Sequence, residues 1–161
     1  AKPRWFLLEN VRMKQESQDI ISDMLGVKPV AINSSLVSAQ NRYRLYWTNI
    51  PFDMPADKGL VLQDILEHGY VDRDKSHCLD ANYFKGGNLK QYFEKHRRQL
   101  AFNDDSFCGL YRKLLPIECE RLQTVPDNYT QGVSNTQRYR MLGNGWTVDV
   151  IAHILRGIGG D

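Results

Sequence analysis

The chain has 161 residues, of which 42% are hydrophobic and 25% are charged. This length suits one ordinary domain, and the composition excludes a disordered or fibrous protein. No apolar run approaches the roughly 18 residues of a membrane-spanning helix, and no signal peptide is recognisable at the N-terminus. With 21 basic and 19 acidic side chains the chain is not globally basic, so an anionic partner must meet a local patch.

The basic part of the chain is its middle. Residues 85–140 hold ten Lys or Arg and six Asp or Glu, whereas the segments on either side are slightly acidic. Aromatic residues are interleaved with these charges, a combination compatible with nucleic-acid contact. On the charge alone, a solvated surface is the simpler explanation. Cys78, Cys108 and Cys119 form no CxxC pair and match no zinc-site spacing, which predicts reduced thiols and no metal site.

The first third of the chain predicts strands around a helix. The apolar run at residues 5–8 indicates a strand buried on both faces, as in a parallel sheet. An amphipathic helix that ends at Gly26 and a second strand at residues 29–32 complete a βαβ pattern. A third strand is predicted at residues 45–47.

The later part of the chain is predicted to be mainly helical, with an irregular insert at residues 70–88. Pro116 suits the first position of a helix, and Glu118 and Arg121 have the spacing of an ion pair along it. The helices are predicted at residues 60–68, 89–100, 116–124, 137–142 and 146–156. Strands early and helices late indicate an α/β domain.

The tripeptide Glu-Asn-Val at residues 9–11 directly follows the first predicted strand. Ligands of open parallel sheets bind beyond the carboxyl ends of the strands, so Glu9 is a candidate for an acid that faces a substrate. On the tripeptide alone, a loop or helix-capping glutamate is the alternative.

Gln40, Arg42 and Arg44 are spaced two residues apart. If the segment is extended, the three side chains share one face. Two guanidinium groups on one face repel each other unless an anion or a buried acceptor lies between them, and arginine suits bidentate contact with phosphate or base edges. An exposed edge strand with solvated arginines is the alternative.

The sequence Gly-Asn-Gly at residues 143–145 precedes the last predicted helix. Backbone N–H groups at a helix N-terminus bind anions, and Trp146 is suited to stacking on a flat ring. A tight turn would have the same sequence.

The order and spacing of these motifs resemble the C-terminal half of DNA (cytosine-5) methyltransferases. The family motifs that the sequence matches are Glu-Asn-Val, Gln-x-Arg-x-Arg at residues 40–44, an Arg…Pro-x-Glu-x-x-Arg-Leu-Gln-x-x-Pro segment at 112–126 and the final motif at 143–150, where the family more often has Gly-Asn-Ser. Residues 37–39 and 62–69 further resemble the branch typified by mammalian de novo methyltransferases. A bacterial or phage enzyme, as in restriction-modification, is expected.

The resemblance implies the C-terminal part of a Rossmann-like α/β fold that uses S-adenosylmethionine. Residues 1–51 would form the second half of the catalytic sheet, 52–111 a short target-recognition region and 112–161 the helices that return to the catalytic domain. The implied reaction transfers a methyl group from S-adenosylmethionine to carbon 5 of a cytosine flipped out of double-stranded DNA, after a cysteine thiolate adds to carbon 6.

The resemblance also implies residue roles. Glu9 would bind the cytosine, while Arg42 and Arg44 would hold the base oxygen, the adjoining phosphate and the cysteine loop. The residues expected at the methionine end of the cofactor are Asn144, Gly145 and Trp146. The residues expected to contact DNA are Gln40, Lys85, Arg138 and Arg140.

Two family features are missing from this sequence, namely the Pro-Cys nucleophile upstream of Glu-Asn-Val and the Gly-rich cofactor loop. We therefore expect the chain alone to be inactive and to need an N-terminal half, in cis or on a second chain. The absence of an initiator methionine likewise predicts a chain processed or cut from something longer. An unpaired sheet edge would favour self-association.

A catalytically inactive methyltransferase-like subunit that regulates a partner or binds DNA is the alternative function. The expected location is the cytoplasm of a bacterium or phage-infected cell, or the nucleus of a eukaryote.

Overall fold

The computed structural model describes residues 3–159. In chain order its strands and α-helices are β1 (Leu7–Val11), α1 (Gln15–Leu25), β2 (Val30–Asn33), β3 (Tyr43–Thr48), α2 (Leu89–Lys95), β4 (Leu100–Phe102), β5 (Tyr111–Lys113), α3 (Pro116–Leu122), α4 (Asn135–Asn144) and α5 (Val148–Leu155). Short 3-10 helices lie at Ser34–Leu36, Leu62–Ile65, Tyr83–Lys85 and Arg156–Gly159. No helix in this part of the chain is long and apolar enough to span a membrane.

The main sheet has three strands in the order β1-β3-β2, and β3 runs antiparallel to both neighbours. Strands β1 and β2 are therefore parallel to each other but not adjacent. The predicted βαβ unit is correct in strand direction and wrong in pairing. The chain reverses direction after the 3-10 helix at Ser34–Leu36, so β3 enters between the two parallel strands.

Strand β1 is an edge of this sheet within residues 3–159. It pairs with β3 alone, and Leu8 and Val11 are 39% and 51% exposed. The prediction of a strand buried on both faces is therefore wrong for the described chain. Helix α1 is likewise more exposed than predicted. Ile20 and Met24 of the predicted apolar stripe are exposed, and no residue of the helix is buried.

The two faces of β3 meet different helices, as the period of two along a strand requires. The Trp47 indole Nε1–H donates to Ser22 Oγ of α1 at 3.0 Å. The neighbouring Tyr46 points to the other face and packs with α5. The buried members of that cluster are Ile32, Val37, Tyr46, Ile50, Val150, Ile151 and Ile154.

The segment between β3 and α3 has shorter helices than predicted and contains a β-hairpin. The predicted helix at 60–68 is only a 3-10 turn, and α2 ends early because His96 takes a left-handed backbone conformation with φ of 48°. The β4–β5 hairpin was missed, since three-residue strands show no readable alternation. This segment packs on α3 and α4 through buried residues that include Leu62, Leu79, Tyr83, Ala101, Leu114, Leu122, Tyr139 and Leu142.

The predicted positions of the last three helices are confirmed to within a few residues. Helix α4 begins earlier than predicted because Ser134 and Gln137 form a reciprocal capping box,. Gly143 and Asn144 end α4, and α5 begins only after Thr147. The prediction that Gly-Asn-Gly opens a helix and presents an anion site is therefore wrong.

Candidate active site

Glu9 and Arg44 form an ion pair on one face of the sheet. Glu9 lies opposite Tyr46 across the β1–β3 pair, and Arg44 precedes Tyr46 by two residues, so all three side chains share that face,. Arg44 Nε lies 2.8 Å from Glu9 Oε1, and both side chains remain partly exposed at 14% and 17%. Glu9 is thus a strand residue, and the loop or capping alternative is wrong.

The Glu9 carboxylate acts electrostatically on Tyr46, its cross-strand neighbour. Burial, together with the nearby Glu9 carboxylate, raises the pKa of Tyr46 to about 12. The phenol is therefore neutral at physiological pH. Tyr46 therefore places an uncharged side chain next to the ion pair.

Cys78 lies between the two arginines, a position that sequence reasoning missed. Its sulfur is 3.5 Å from Arg42 Nη1 and 3.8 Å from Arg44 Nη2. The sequence pattern predicts only a reduced thiol at this position. Cys78 lies 36 positions after Arg42 and 34 positions after Arg44, so only the tertiary structure brings them into contact. No local pattern around His77-Cys78 indicates this contact.

The Arg42 guanidinium is committed to main-chain carbonyls. It donates to the carbonyls of Leu79 and Gly145 at 2.8 Å each, and to that of Gly143 at 3.3 Å. Only 4% of the residue is exposed. Burial lowers the pKa of Arg42, and the positive charge of Arg44 lowers it further. These buried acceptors reconcile two arginines on one face, so the solvated-edge alternative is wrong for Arg42.

Gln40 and Arg138 are also committed inside the fold. Gln40 is fully buried, and its amide bonds to the main chain at Leu79 and Leu122. Arg138 pairs with the buried Glu120 at 2.8 Å, and its Nε also donates to Thr130. The expectation that Gln40 and Arg138 contact DNA disagrees with this geometry, because Gln40 is fully buried and the Arg138 guanidinium is held by Glu120 and Thr130.

Lys85 and Arg140, in contrast, are exposed and share an aromatic support. The Arg140 guanidinium lies over the Phe84 ring at 4.8 Å, and Lys85 Nζ lies 5.8 Å from the same ring. The structure therefore groups two of the four predicted DNA contacts into one basic surface.

The end of α4 forms one wall of an apolar cleft of about 190 Å³. Trp146 is half exposed at this cleft, Gly145 lines it, and Asn144 is exposed next to them. Its other lining residues are Gln123, Val125, Tyr129, Thr130, Met141, Leu142 and Val148. A Cβ on Gly143 would lie 2.3 Å from the main-chain carbonyl carbon of Asp80, so this position requires glycine.

The predicted ion pair between Glu118 and Arg121 is wrong. Glu118 is fully buried and pairs with Arg112 at 2.7 Å. Arg121 instead reaches Asp127 and Glu67, each at 2.6 Å. Burial favours the Arg112 pair because its bidentate guanidinium satisfies both carboxylate oxygens,.

His77, next to Cys78, predicts a pH dependence of stability. Burial and the positive charges of Arg73 and His96 lower its pKa to about 4, while Asp72 acts in the opposite direction. The unfolded chain gains a proton near pH 6.5 and the folded chain only near pH 4,. The contribution of His77 to stability is therefore complete above pH 6.5 and is lost as the pH falls towards 4.

We expect His77→Gln to flatten the stability profile in that window. Because His77 is partly exposed, solvent screening reduces its contribution to about 1–2 kcal/mol. Urea denaturation at pH 7, 6, 5 and 4.5 checks this, with the wild-type chain and His77→Gln compared at each pH. Parallel profiles for the two proteins would contradict the prediction.

The sequence comparison identifies the family to which this site belongs. Residues 63–160, more than half of the chain, match the family described as C-5 cytosine-specific DNA methylase. The chain belongs to the C-5 cytosine-specific DNA methylase family. Methyl transfer to carbon 5 of cytosine in DNA is the general reaction of these methylases. The resemblance drawn from the four motifs is therefore confirmed.

Relatives of this methylase family come from bacteria and plants. Type II methyltransferase M2.ScrFI of Lactococcus lactis subsp. cremoris is 28% identical, over 96% of this chain and 54% of its own length. Type II methyltransferase M.NlaX of Neisseria lactamica is 26% identical, over 95% of this chain and 62% of its own length. The rice DNA (cytosine-5)-methyltransferase DRM2 is 52% identical over 42 residues, 26% of this chain and 7% of its own length.

Solved structures show the same fold. The Entamoeba histolytica methyltransferase EhMeth superposes with a TM-score of 0.70 at 18% identity, over 98% of this chain and 62% of that one. Schizosaccharomyces pombe Dnmt2 superposes with a TM-score of 0.62 at 16% identity, over 97% and 66%. The predicted α/β methyltransferase fold is confirmed. This methylase chain spans about half to two thirds of the length of these relatives.

Proposed function

We propose that this chain is the C-terminal part of a DNA (cytosine-5) methyltransferase that methylates carbon 5 of a flipped cytosine. The observation that carries the proposal is the Glu9–Arg44 ion pair between β1 and β3, with Arg42 buried beside it. A carboxylate held in a fixed orientation, and still partly exposed, suits the N3 and amino edge of a cytosine.

Arg44 has two tasks in this proposal. Its Nε orients the Glu9 carboxylate, while its partly exposed guanidinium binds the oxygen of the flipped base. Charge that develops on the ring during thiolate addition is then stabilised by donors already in place. Arg42 contributes through position, because its donors bind the carbonyls of Leu79, Gly143 and Gly145.

One wall of the cofactor site would come from Asn144, Gly145 and Trp146. The half-exposed Trp146 ring and the apolar cleft next to it fit the flat and apolar parts of S-adenosylmethionine. When bound, that cofactor supplies the methyl group. The Gly-rich loop that would form the opposite wall does not occur in this sequence.

The attacking thiol would come from an upstream polypeptide. Cys78 contacts both arginines through its sulfur. Cys119 is buried, and burial raises the pKa of its thiol. The unpaired side of β1 and the exposed Ile20 and Met24 of α1 offer that polypeptide a strand edge and an apolar surface,. Self-association through the same edge is the competing use of this surface.

The target-recognition region in this proposal is residues 52–111, and the DNA is double-stranded. Lys85 and Arg140, supported on Phe84, would contact its phosphates. About 60 residues is short for base recognition, which favours a short target site. Gln40 and Arg138 are not retained as DNA contacts, because Gln40 is fully buried and Arg138 is held by the buried Glu120.

Complementation tests the proposal directly. The chain is co-expressed with a methyltransferase N-terminal half that carries the Gly-rich loop and Pro-Cys, and complex formation is verified by gel filtration. Transfer of tritiated methyl groups to duplex DNA is then measured. We expect background incorporation by the chain alone and clear incorporation by the complex. Methylation by the chain alone, or a stable complex with no activity, would contradict the proposal, and the second result would favour an inactive regulatory subunit.

A further inference from the structure

We infer that the side-chain amides of Gln40 and Gln123 form a positioning pair that couples the recognition region to the cofactor wall. The inference rests on the proposed function. It assigns a task to Gln40 in place of DNA contact. It also gives Gln123, a motif residue without a stated role, a defined part in the reaction.

Gln40 connects the recognition region to helix α3. Its Oε1 accepts from the Leu79 N–H at 3.2 Å, and its Nε2 donates to the carbonyl of Leu122 at 2.8 Å. The main chain reinforces the first contact, since Ser76 N–H donates to the Ala39 carbonyl at 2.8 Å. Residues 76–79 are thereby fixed against the segment that leads to Arg42.

Gln123 connects helix α3 to the cofactor wall. Its Oε1 accepts from Gln40 Nε2 and from Thr147 Oγ1, both at 3.0 Å. Its Nε2 donates to the carbonyls of Leu142 and Gly145. Its own carbonyl accepts from the Val148 N–H at 2.9 Å, so one residue spans the whole segment between α4 and α5.

The side chains of Gln40 and Gln123 are buried, and their amide groups are hydrogen-bonded. Gln40 is 0% and Gln123 1% exposed, and both amide groups have partners for donor and acceptor atoms. Separating the two amides would leave a buried polar group without a hydrogen-bond partner, which is costly. The two amides are therefore expected to move together. A shift of residues 76–79 when DNA binds would therefore pass to Gly145 and Thr147.

The same two segments converge on Arg42. Its guanidinium donates to the carbonyl of Leu79 on one side and to those of Gly143 and Gly145 on the other. The position of Arg42 therefore depends on how the Gln40–Gln123 pair places these two segments relative to each other. This link places the pair in the proposed reaction and not only in the stability of the core.

Hydrogen exchange in the chain itself tests the coupling. In Gln40→Met, which contacts neither Gly145 nor Val148, we expect exchange of both amides to accelerate about tenfold. In Gln123→Met, the Leu79 amide should accelerate by a similar factor. Amides of α1 should be unchanged in both variants. Thr147→Val, which removes a single bond to Gln123, is the milder variant if either methionine variant fails to fold.

Ser38→Ala is the matched control. The Ser38 hydroxyl is buried and donates to the same Leu122 carbonyl at 2.6 Å. This bond involves neither residues 76–79 nor the segment between α4 and α5. The variant should lower stability without accelerating exchange at Leu79 or Val148 relative to the rest of the core. Equal acceleration in Ser38→Ala, or no cross-effect in the glutamine variants, would overturn the inference.

Kinetics of the complemented enzyme provide the second readout. We expect Gln123→Met to raise KM for both S-adenosylmethionine and DNA about tenfold with a smaller change in kcat, because ground-state positioning is lost. The double variant with Gln40→Met should be no worse than either single variant. Additive effects would refute the pair. An inactive wild-type complex would instead refute the proposed function and leave the exchange result to decide the coupling.

Discussion

Arg44→Ala is expected to reduce methylation by the complemented enzyme about 10²–10³-fold, mainly in kcat. The substitution removes the donor that lies 2.8 Å from Glu9 and the charge that is proposed to face the base oxygen. It also releases the contact with Cys78. Arg44→Lys should recover little activity, since an ammonium group cannot bond Glu9 and remain positioned as a planar guanidinium does.

The experiment compares single-turnover rates of methyl transfer to duplex DNA. Arg156→Ala is the control, because Arg156 is exposed beyond α5 and is not a member of the ion pair. Circular dichroism and gel filtration confirm that each variant folds and binds the N-terminal half. Unchanged turnover in a folded Arg44→Ala complex would remove Arg44 from the proposed mechanism.

Arg112→Ala is expected to destabilise the chain by about 3 kcal/mol, in line with the loss of one partner of a buried ion pair. Glu118 is completely buried and accepts both of its guanidinium bonds from Arg112, at 2.7 and 2.8 Å. The N–H groups of Leu115 and Glu67 donate to the same carboxylate. Without Arg112 those two N–H groups alone face a buried negative charge.

Urea denaturation at pH 7 measures the difference, and Arg121→Ala, on α3 together with Glu118, is the matched control. Arg121 also pairs with carboxylates, but Asp127 and Glu67 are 45% and 42% exposed. Exposed pairs contribute about 0–1 kcal/mol. Similar losses of stability for the two arginine variants would show that burial of Glu118 does not decide the energetics.

Local signals explain the elements that were predicted well. Pro116 at the start of α3 and the apolar stripe of α5 are encoded in a few neighbouring residues. The period of two from Gln40 to Arg44 correctly indicated that these side chains point to the same side. The motif spacing identified the family, because the residue types that catalysis requires occur together at fixed distances along the chain.

Pairing between distant segments explains what was missed. A strand pattern states which residues share a face but not which strand lies alongside, so the insertion of β3 between β1 and β2 had no local signature,. The three-residue strands of the β4–β5 hairpin are likewise stabilised by contacts across the fold.

The sequence alone therefore determined the family and the α/β class, since these depend on residue type and short-range order. The tertiary structure decided which motif residues are available. It buried Gln40, held Arg138 against the buried Glu120, left Arg44 and Glu9 partly open, and brought Cys78 to the arginines. Burial and contact are set by long-range packing, and the same glutamine or arginine can satisfy a buried carbonyl or an external phosphate with equal ease.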